Sequence, residues 1–376
     1  MGAGVAVLGA GGFVGARLLE MAVLSGRTDI VPVVRSFRSA ARSAQLAFPH
    51  RLADTSRHES LLRALDGCDT VVNLTAGKPY EILRATENIY RAARASGARL
   101  LIHMSSATVF GDLDRPDLPD DAPPRLDQWK PYAREKGRAE NFLRERMAGD
   151  GQLAIVVLRP SLVWGPSSQW VLGAASELVR GAAYLRGDGA GICNLMYVDD
   201  LVRSIDAVVA HDAVPSGFFN VADDIVPTWR EYYTALAEGL GIDPATIHLV
   251  PEDGYRPGLR ERLEPLRDHR AYAWLKERIP LETRAHIKSR FARGRVREPL
   301  PGAAARPVVT RTMWEVQATR YPLPTAKFRA TFGAPNRGSF GSGIAASLAW
   351  LRFIGLGDRG PEVRASRTRL LAAREH

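Results

Sequence analysis

A serine pair, Ser105-Ser106, and a tyrosine–lysine pair, Tyr132 and Lys136, are of types that could move a proton on and off an alcohol or ketone oxygen. Tyr132 and Lys136 are four apart, so on a helix they share one face. An ammonium beside a phenol lowers its pKa from about 10, which lets the phenol serve as acid or base near neutrality. A serine hydroxyl can then hydrogen-bond the oxygen that gains or loses the proton. Tyr and Lys at this spacing recur by chance on surface helices. Their conjunction with a serine pair closing a buried apolar run, and with a glycine-rich turn near the N-terminus, does not.

That turn is Gly9-Ala10-Gly11-Gly12-Phe13-Val14-Gly15, after the apolar run Val5–Leu8. Glycines between a strand and a helix permit a tight turn and close backbone approach, so a dinucleotide pyrophosphate can rest on free helix amides. At the end of the second apolar run, a carboxylate would hold a ribose 2′-hydroxyl. The sequence has Arg35 there, in Val34-Arg35-Ser36. Arginine suits a 2′-phosphate, which favours NADP; stacking on adenine with NAD is the alternative.

These groups need a rigid carrier. Val5–Leu8, Ile30–Val34, Thr70–Leu74, Leu100–Met104 and Ile155–Leu158 read as strands buried on both faces. Helical patterns at about 14–25, 57–66, 79–96 and 132–147 alternate with them. Alternation implies a parallel, doubly wound α/β sheet of Rossmann type. Phe218–Val221 could return to that sheet. Trp229–Leu240 reads as a helix capped by Thr228 and stopped by Gly241, and Phe340–Ile354 as another. The expected division is a dinucleotide-binding domain over 1–165 and about 191–224. A smaller, mostly helical substrate-binding part covers 166–190 and 225–355, with a polar tail over 356–376.

With these residues in place, the chain resembles the extended short-chain dehydrogenase/reductases, the sugar epimerase/dehydratase group, over about 4–240 and 320–354. The resemblance rests on Gly9–Gly15, Asp54-Thr55, Leu74-Thr75-Ala76, Ser105-Ser106-Ala107-Thr108, Tyr132/Lys136, Arg159-Pro160-Ser161-Leu162-Val163 and Tyr197-Val198-Asp199-Asp200. It implies that Ser106, Tyr132 and Lys136 are catalytic. It implies cofactor contacts from Gly9, Gly12, Phe13, Val14, Arg35, Asp54, Thr55, Leu74, Thr75, Ala76, Tyr132, Lys136, Pro160 and Val163. Thr108 and Asn194 are expected at the substrate, and Asp199 and Asp200 in structural roles.

Dehydratases of the group carry Asp-Glu after the strand serine or threonine. Ala107-Thr108 stands there, as in UDP-galactose 4-epimerases, which argues against elimination. Epimerisation, keto-reduction or alcohol oxidation of a nucleotide- or lipid-linked sugar remains. A non-nucleotide substrate reduced with NADPH, or a non-catalytic dinucleotide-binding protein, is the alternative. The asparagine usual in the helix before the serine strand falls near Ile82. The arginine that normally pairs with a substrate diphosphate is missing from Gly191-Ile192-Cys193-Asn194-Leu195; one from 256–297, or Arg320, would have to replace it.

Composition sets the remaining bounds. Hydrophobic residues make up 45% and charged residues 24% of the 376, as in a soluble globular protein. Two scattered cysteines, Cys68 and Cys193, offer neither a disulfide framework nor a metal site, so no metal is expected. No signal peptide or spanning segment is read, and a cytoplasmic location is expected. From Arg256 to Glu298 there are 13 basic and 6 acidic residues, or +7 of the net +10. This basic helical insertion, about 255–300, has three readings: a solvated periphery, a lid offering arginines to phosphate, or a peripheral membrane contact. No nucleic-acid partner is expected. A homodimer is expected by resemblance.

Overall fold

The computed structural model describes residues 4–356 except 112, 114, 150, 257–305 and 337. The basic insertion at about 255–300 and the polar tail therefore lie largely outside the described residues.

Seven parallel strands build the main sheet in the order β10-β6-β5-β4-β1-β2-β3. They are β1 (Gly4–Leu8), β2 (Ile30–Val34), β3 (Arg51–Leu52), β4 (Cys68–Asn73), β5 (Leu100–Met104), β6 (Ala154–Pro160) and β10 (Gly217–Val221). The order reverses between β1 and β4, the kind of switch point at which open α/β sheets bind ligands. Five central strands were legible because each is predominantly apolar, with helices on both faces. Strand β10 returns to the sheet as expected, pairing Phe218 with Val157 and Val221 with Pro160. The two-residue β3 carries no such pattern in the sequence.

Helices α1 (Phe13–Leu24), α2 (His58–Leu65), α3 (Pro79–Ala95) and α4 (Pro131–Met147) fall within about a residue of their expected limits. Prolines occupy the first turns of α3 and α4, where their missing N–H has no intrahelical partner to lose. One sheet face packs on α1 and on α6 (Val198–Val209), through Leu18, Leu19, Leu201 and Ile205. The other face packs on α2, α3 and α4 through Leu61, Ile89 and Leu143.

A third core gathers Trp164, Leu178, Cys193, Trp229, Tyr232, Leu236 and Leu348. Its elements are β7 (Leu162–Trp164), α5 (Gln169–Val179), β8 (Tyr184–Arg186), β9 (Leu195–Tyr197), α7 (Trp229–Gly239), β11 (His248–Val250) and α10 (Phe340–Phe353). Strand β7 pairs with β9, and β8 with β11. Thr228 caps α7 in a reciprocal box with Glu231, as its position suggested. Between β11 and α10 lie α8 (Arg311–Val316) and α9 (Ala326–Phe332). Phe328 and Phe332 of α9 pack against Phe219 of β10 at 6.3 and 5.0 Å. No described helix is long and apolar enough to cross a membrane.

Candidate active site

The turn after β1 brings backbone, not side chains, to the sheet's ligand edge. Gly9 has φ +84°, and its N–H donates to the Val33 carbonyl at 3.1 Å. A Cβ on Gly15 would stand 2.4 Å from the Gly9 oxygen, so α1 packs against this turn only with glycine there. Helix α1 is preceded by Gly12, which offers no side-chain cap, leaving first-turn amides for a ligand.

A cleft of about 870 Å³ opens over this edge, lined by Gly9, Gly12, Phe13, Val14, Arg35, Thr55, Leu74, Thr75 and Ala76. Arg38 and Arg42 line it too, although no motif in the sequence singles them out for it. Asp54 stands between Ala53 and Thr55, which both line this cleft. Its carboxylate accepts from the N–H and O–H of Ser56, at 2.9 and 2.8 Å, and these bonds lower its pKa. The residue thus fixes the turn into α2. Asn88 of α3 braces the same turn, donating to the Thr55 carbonyl at 3.0 Å.

A second cleft of about 570 Å³ shares Val14, Leu74, Thr75 and Ala76 with the first. Ser106, Tyr132, Lys136, Pro160 and Val163 line it together, so β5, α4 and the β6–β7 link deliver the expected set to one cavity. The Ser106 hydroxyl oxygen accepts from Thr108 N–H at 3.3 Å and Thr108 Oγ1 at 3.0 Å. That arrangement leaves its own O–H proton to donate into the cleft. Thr108 borders the same cavity.

Lys136 is buried, and its Nζ donates to the Met104 carbonyl at 2.7 Å. Burial brings its pKa from 10.5 down to about 8, against an opposing pull from Glu140. Its Nζ stands 6.0 Å from the centre of the Tyr132 ring. Spacing implies that this ammonium lowers the phenol, and desolvation in the cleft acts in the opposite direction. Tyr132 is still 36% exposed as a residue, but the cleft walls withdraw its phenol from water and push it up to about 12. Desolvation outweighs a cation already held by a carbonyl.

Beneath the set lies a buried network that the motifs did not announce. Glu140, four residues past Lys136, accepts from Ser105 Oγ and pairs with Arg159 through Nη2 at 2.6 Å and Nε at 2.9 Å. Both ionic side chains are fully buried. Arg159 also donates to the Asp120 and Ala122 carbonyls, and lies between the rings of Phe110 and Phe218 at 4.6 and 4.7 Å. It thereby ties α4 to β6 and to the 120–122 segment. Across the sheet edge, Asn73 donates to His103 Nδ1 at 3.0 Å and accepts from the N–H and O–H of Thr75. His103 is core, as expected, and burial together with the charge of Lys136 keeps it neutral.

Asn194 borders a recess of about 80 Å³ next to Ser106. Its amide is engaged by the backbone, donating to the Tyr321 carbonyl and accepting from Leu323 N–H at 3.0 and 2.8 Å. It therefore holds the 321–323 segment through one of its two amide N–H groups and its oxygen. Arg320 lines neither the cleft nor the recess. Asp199 is structural as expected, bonded to Arg17 of α1 at 2.6 and 2.8 Å. Cys193 is buried. Among the described residues no His/Cys/Asp/Glu cluster could hold a metal.

The chain is 27% identical to 2-alkyl-3-oxoalkanoate reductase of Stenotrophomonas maltophilia, over 70% of this chain and 83% of that protein. It is 25% identical to N-acetyl-alpha-D-glucosaminyl-diphospho-ditrans,octacis-undecaprenol 4-epimerase of Escherichia coli O157:H7, over 65% and 75%. A match of 32% identity to a 3-diazoavenalumate denitrifying reductase of a Streptomyces species spans about half of that protein (52%) and 42% of this chain. The fold superposes on UDP-glucose 4-epimerase of Thermotoga maritima with a TM-score of 0.65 at 17% identity, covering 93% of this chain and 99% of that one. The model of the NAD dependent epimerase/dehydratase family matches residues 5–222, more than half of the chain. The chain belongs to that family.

Proposed function

We propose that the chain is an NAD(P)-dependent oxidoreductase or epimerase acting at a secondary alcohol or ketone carbon, with Ser106, Tyr132 and Lys136 as its catalytic set. The observation that carries this reading is their convergence on one cavity continuous with the glycine-turn cleft. The amides after Gly12 would hold the pyrophosphate, with Thr75 and Ala76 between the two ends of the dinucleotide. Pro160 and Val163 would face the nicotinamide, and Lys136 the adjoining ribose. Arg35, with Arg38 and Arg42 beside it, favours a 2′-phosphate and so NADP. NAD stays the alternative, since the relatives of known structure include NAD complexes.

When bound, a reduced nicotinamide supplies the hydride to the carbonyl carbon. Tyr132 gives its phenolic proton to the carbonyl oxygen as the C=O π bond breaks, leaving a secondary alcohol. Ser106 donates a hydrogen bond to that oxygen throughout. Oxidation runs the same steps backwards. Sugars, nucleotide- or lipid-linked, are the substrates suggested by the family, and the undecaprenol-linked relative supports a lipid carrier. A specific observation favours the second reading, reduction of a non-nucleotide ketone. Among the described residues no arginine lines the substrate cleft, and Gly191–Leu195 lacks the arginine that pairs with a diphosphate in the group.

The test is Tyr132→Phe in the full chain. Turnover with any substrate found should fall about 10²–10⁴-fold while cofactor binding, read by reduced-cofactor fluorescence, is kept. Unchanged turnover refutes the assignment. Retained, tightly held cofactor in the purified protein would mark an epimerase, and an empty site with NADPH-dependent turnover a reductase. A homodimer through α4, the helix that carries Tyr132 and Lys136, and a cytoplasmic location complete the proposal, the former checked by light scattering.

A further inference from the structure

Among the described residues, the charged groups that line the substrate cleft are already partnered within the protein. Among the described residues lining it, the cations are Lys130 and Lys136, and there is neither an arginine nor a histidine. Lys136 is held by the Met104 carbonyl. Lys130 Nζ stands 2.9 Å from Glu315, and each of the two side chains is 22% exposed. The same Glu315 carboxylate accepts from Arg311 Nε at 2.8 Å and takes the indole N–H of Trp129 on both oxygens, at 2.6 and 2.8 Å. One carboxylate of α8 thus anchors the segment that leads into Tyr132.

The consequence for Trp129 is a fixed ring. Its N–H is bonded, and the Arg311 guanidinium lies 4.4 Å from the ring centre. Thr312 and Val316, four apart on α8, line the cavity beside it, and Trp170 adds a second indole braced against Trp229 at 6.3 Å. Such a wall is ordered before any ligand arrives, so binding does not have to immobilise it. It offers apolar area and little that could replace the hydration of a diphosphate, whose burial without free partners is unfavourable.

We propose that this cleft takes an uncharged or singly charged ketone or secondary alcohol whose body is an apolar ring or chain seated between Trp129 and Val316. Trp129 is then its specificity-determining residue. This rests on the catalytic reading above. The oxygen would face Ser106 and Tyr132, and the reducing equivalents would come from the nicotinamide cofactor, as in that reading.

The experiment uses the cofactor-loaded full chain and calorimetric binding of two probe sets, so that the outcome does not depend on turnover. One set is ethyl benzoylacetate and 2-decanone; the other is UDP-glucose and UDP-N-acetylglucosamine. The apolar ketones should bind at least about tenfold more tightly. Trp129→Ala should weaken their binding by about tenfold or more, and Trp129→Phe should restore most of it. In turnover, Trp129→Ala should raise KM far more than it lowers kcat. Tighter binding of the UDP-sugars, binding of neither set, or indifference to Trp129→Ala overturns the proposal. If UDP-sugars bind and turn over with dependence on Tyr132, only this inference falls. If turnover ignores Tyr132, the catalytic reading falls instead.

Discussion

Replacing Lys136 by methionine should remove turnover and yet leave the protein as stable at neutral pH as the wild type, or more so. Lys136 is buried, and burial brings it to about pH 8. An unfolded lysine titrates near about 10.4. Between those values the unfolded chain holds more protons than the folded one, so stability from this group rises with pH across that window. Below about pH 8 the destabilisation is fully present, and at roughly 1.4 kcal/mol per unit it amounts to about 3 kcal/mol. Methionine matches the shape without the charge, but strips the Met104 carbonyl of its donor, which costs about 1–3 kcal/mol. The variant should therefore lie between equal to and about 2 kcal/mol above the wild type at pH 7. At pH 10.4 the buried charge is gone from the wild type, and the variant should be the less stable by about 1–3 kcal/mol. Urea unfolding followed by tryptophan fluorescence, at several pH values for both proteins, reads the difference directly. A gap that does not move with pH, or a variant already about 3 kcal/mol less stable at pH 7, would refute the argument.

Arg159→Met should lower stability by about 3–5 kcal/mol by leaving Glu140 charged and alone in the interior, and the double variant with Glu140→Leu should recover most of it. Equal denaturation midpoints for the single and double variants would contradict that. Gly15→Ala places a methyl 2.4 Å from the Gly9 carbonyl, so dinucleotide affinity should fall at least about tenfold by fluorescence titration. Arg35→Ser should shift the preference toward NAD by about tenfold in kcat/KM; an unchanged ratio would assign the cofactor discrimination elsewhere.

What was legible in the sequence follows from how local its causes are. Ile30–Val34 is apolar end to end and Leu100–Met104 is so but for His103, because helices cover both sheet faces, so their strands stand out from composition alone. The spacing of Tyr132 and Lys136 and the glycines after Leu8 carry geometry within a few residues. Spacing alone does not set the pKa of the Tyr132 phenol, because it fixes which groups are neighbours, not how much water each keeps. Glu140 sits on the same face as Lys136, and Arg159 breaks an apolar strand, itself a sign of a buried partner. Their pairing depends on α4 crossing β6. Glu315 with Arg311 reads as an ordinary exposed i,i+4 pair, and its service to Trp129 spans 186 residues of chain. No local pattern encodes that.

The C-terminal course of the chain has a consequence for anyone who would cut or recombine it. After α7 and β11 have built the small core, α8 walls the cleft, α9 crosses back to cover Phe219 of the main sheet, and α10 returns to fill the small core beside α7. Lys327 and Arg329 of α9 fasten that crossing to Asp121 and Asp224. The two halves are braided, so neither can be expressed alone by a single cut. Removing the chain beyond α8 would strip both cores at once. Grafting a new substrate pocket onto this sheet would require transplanting several separated segments together.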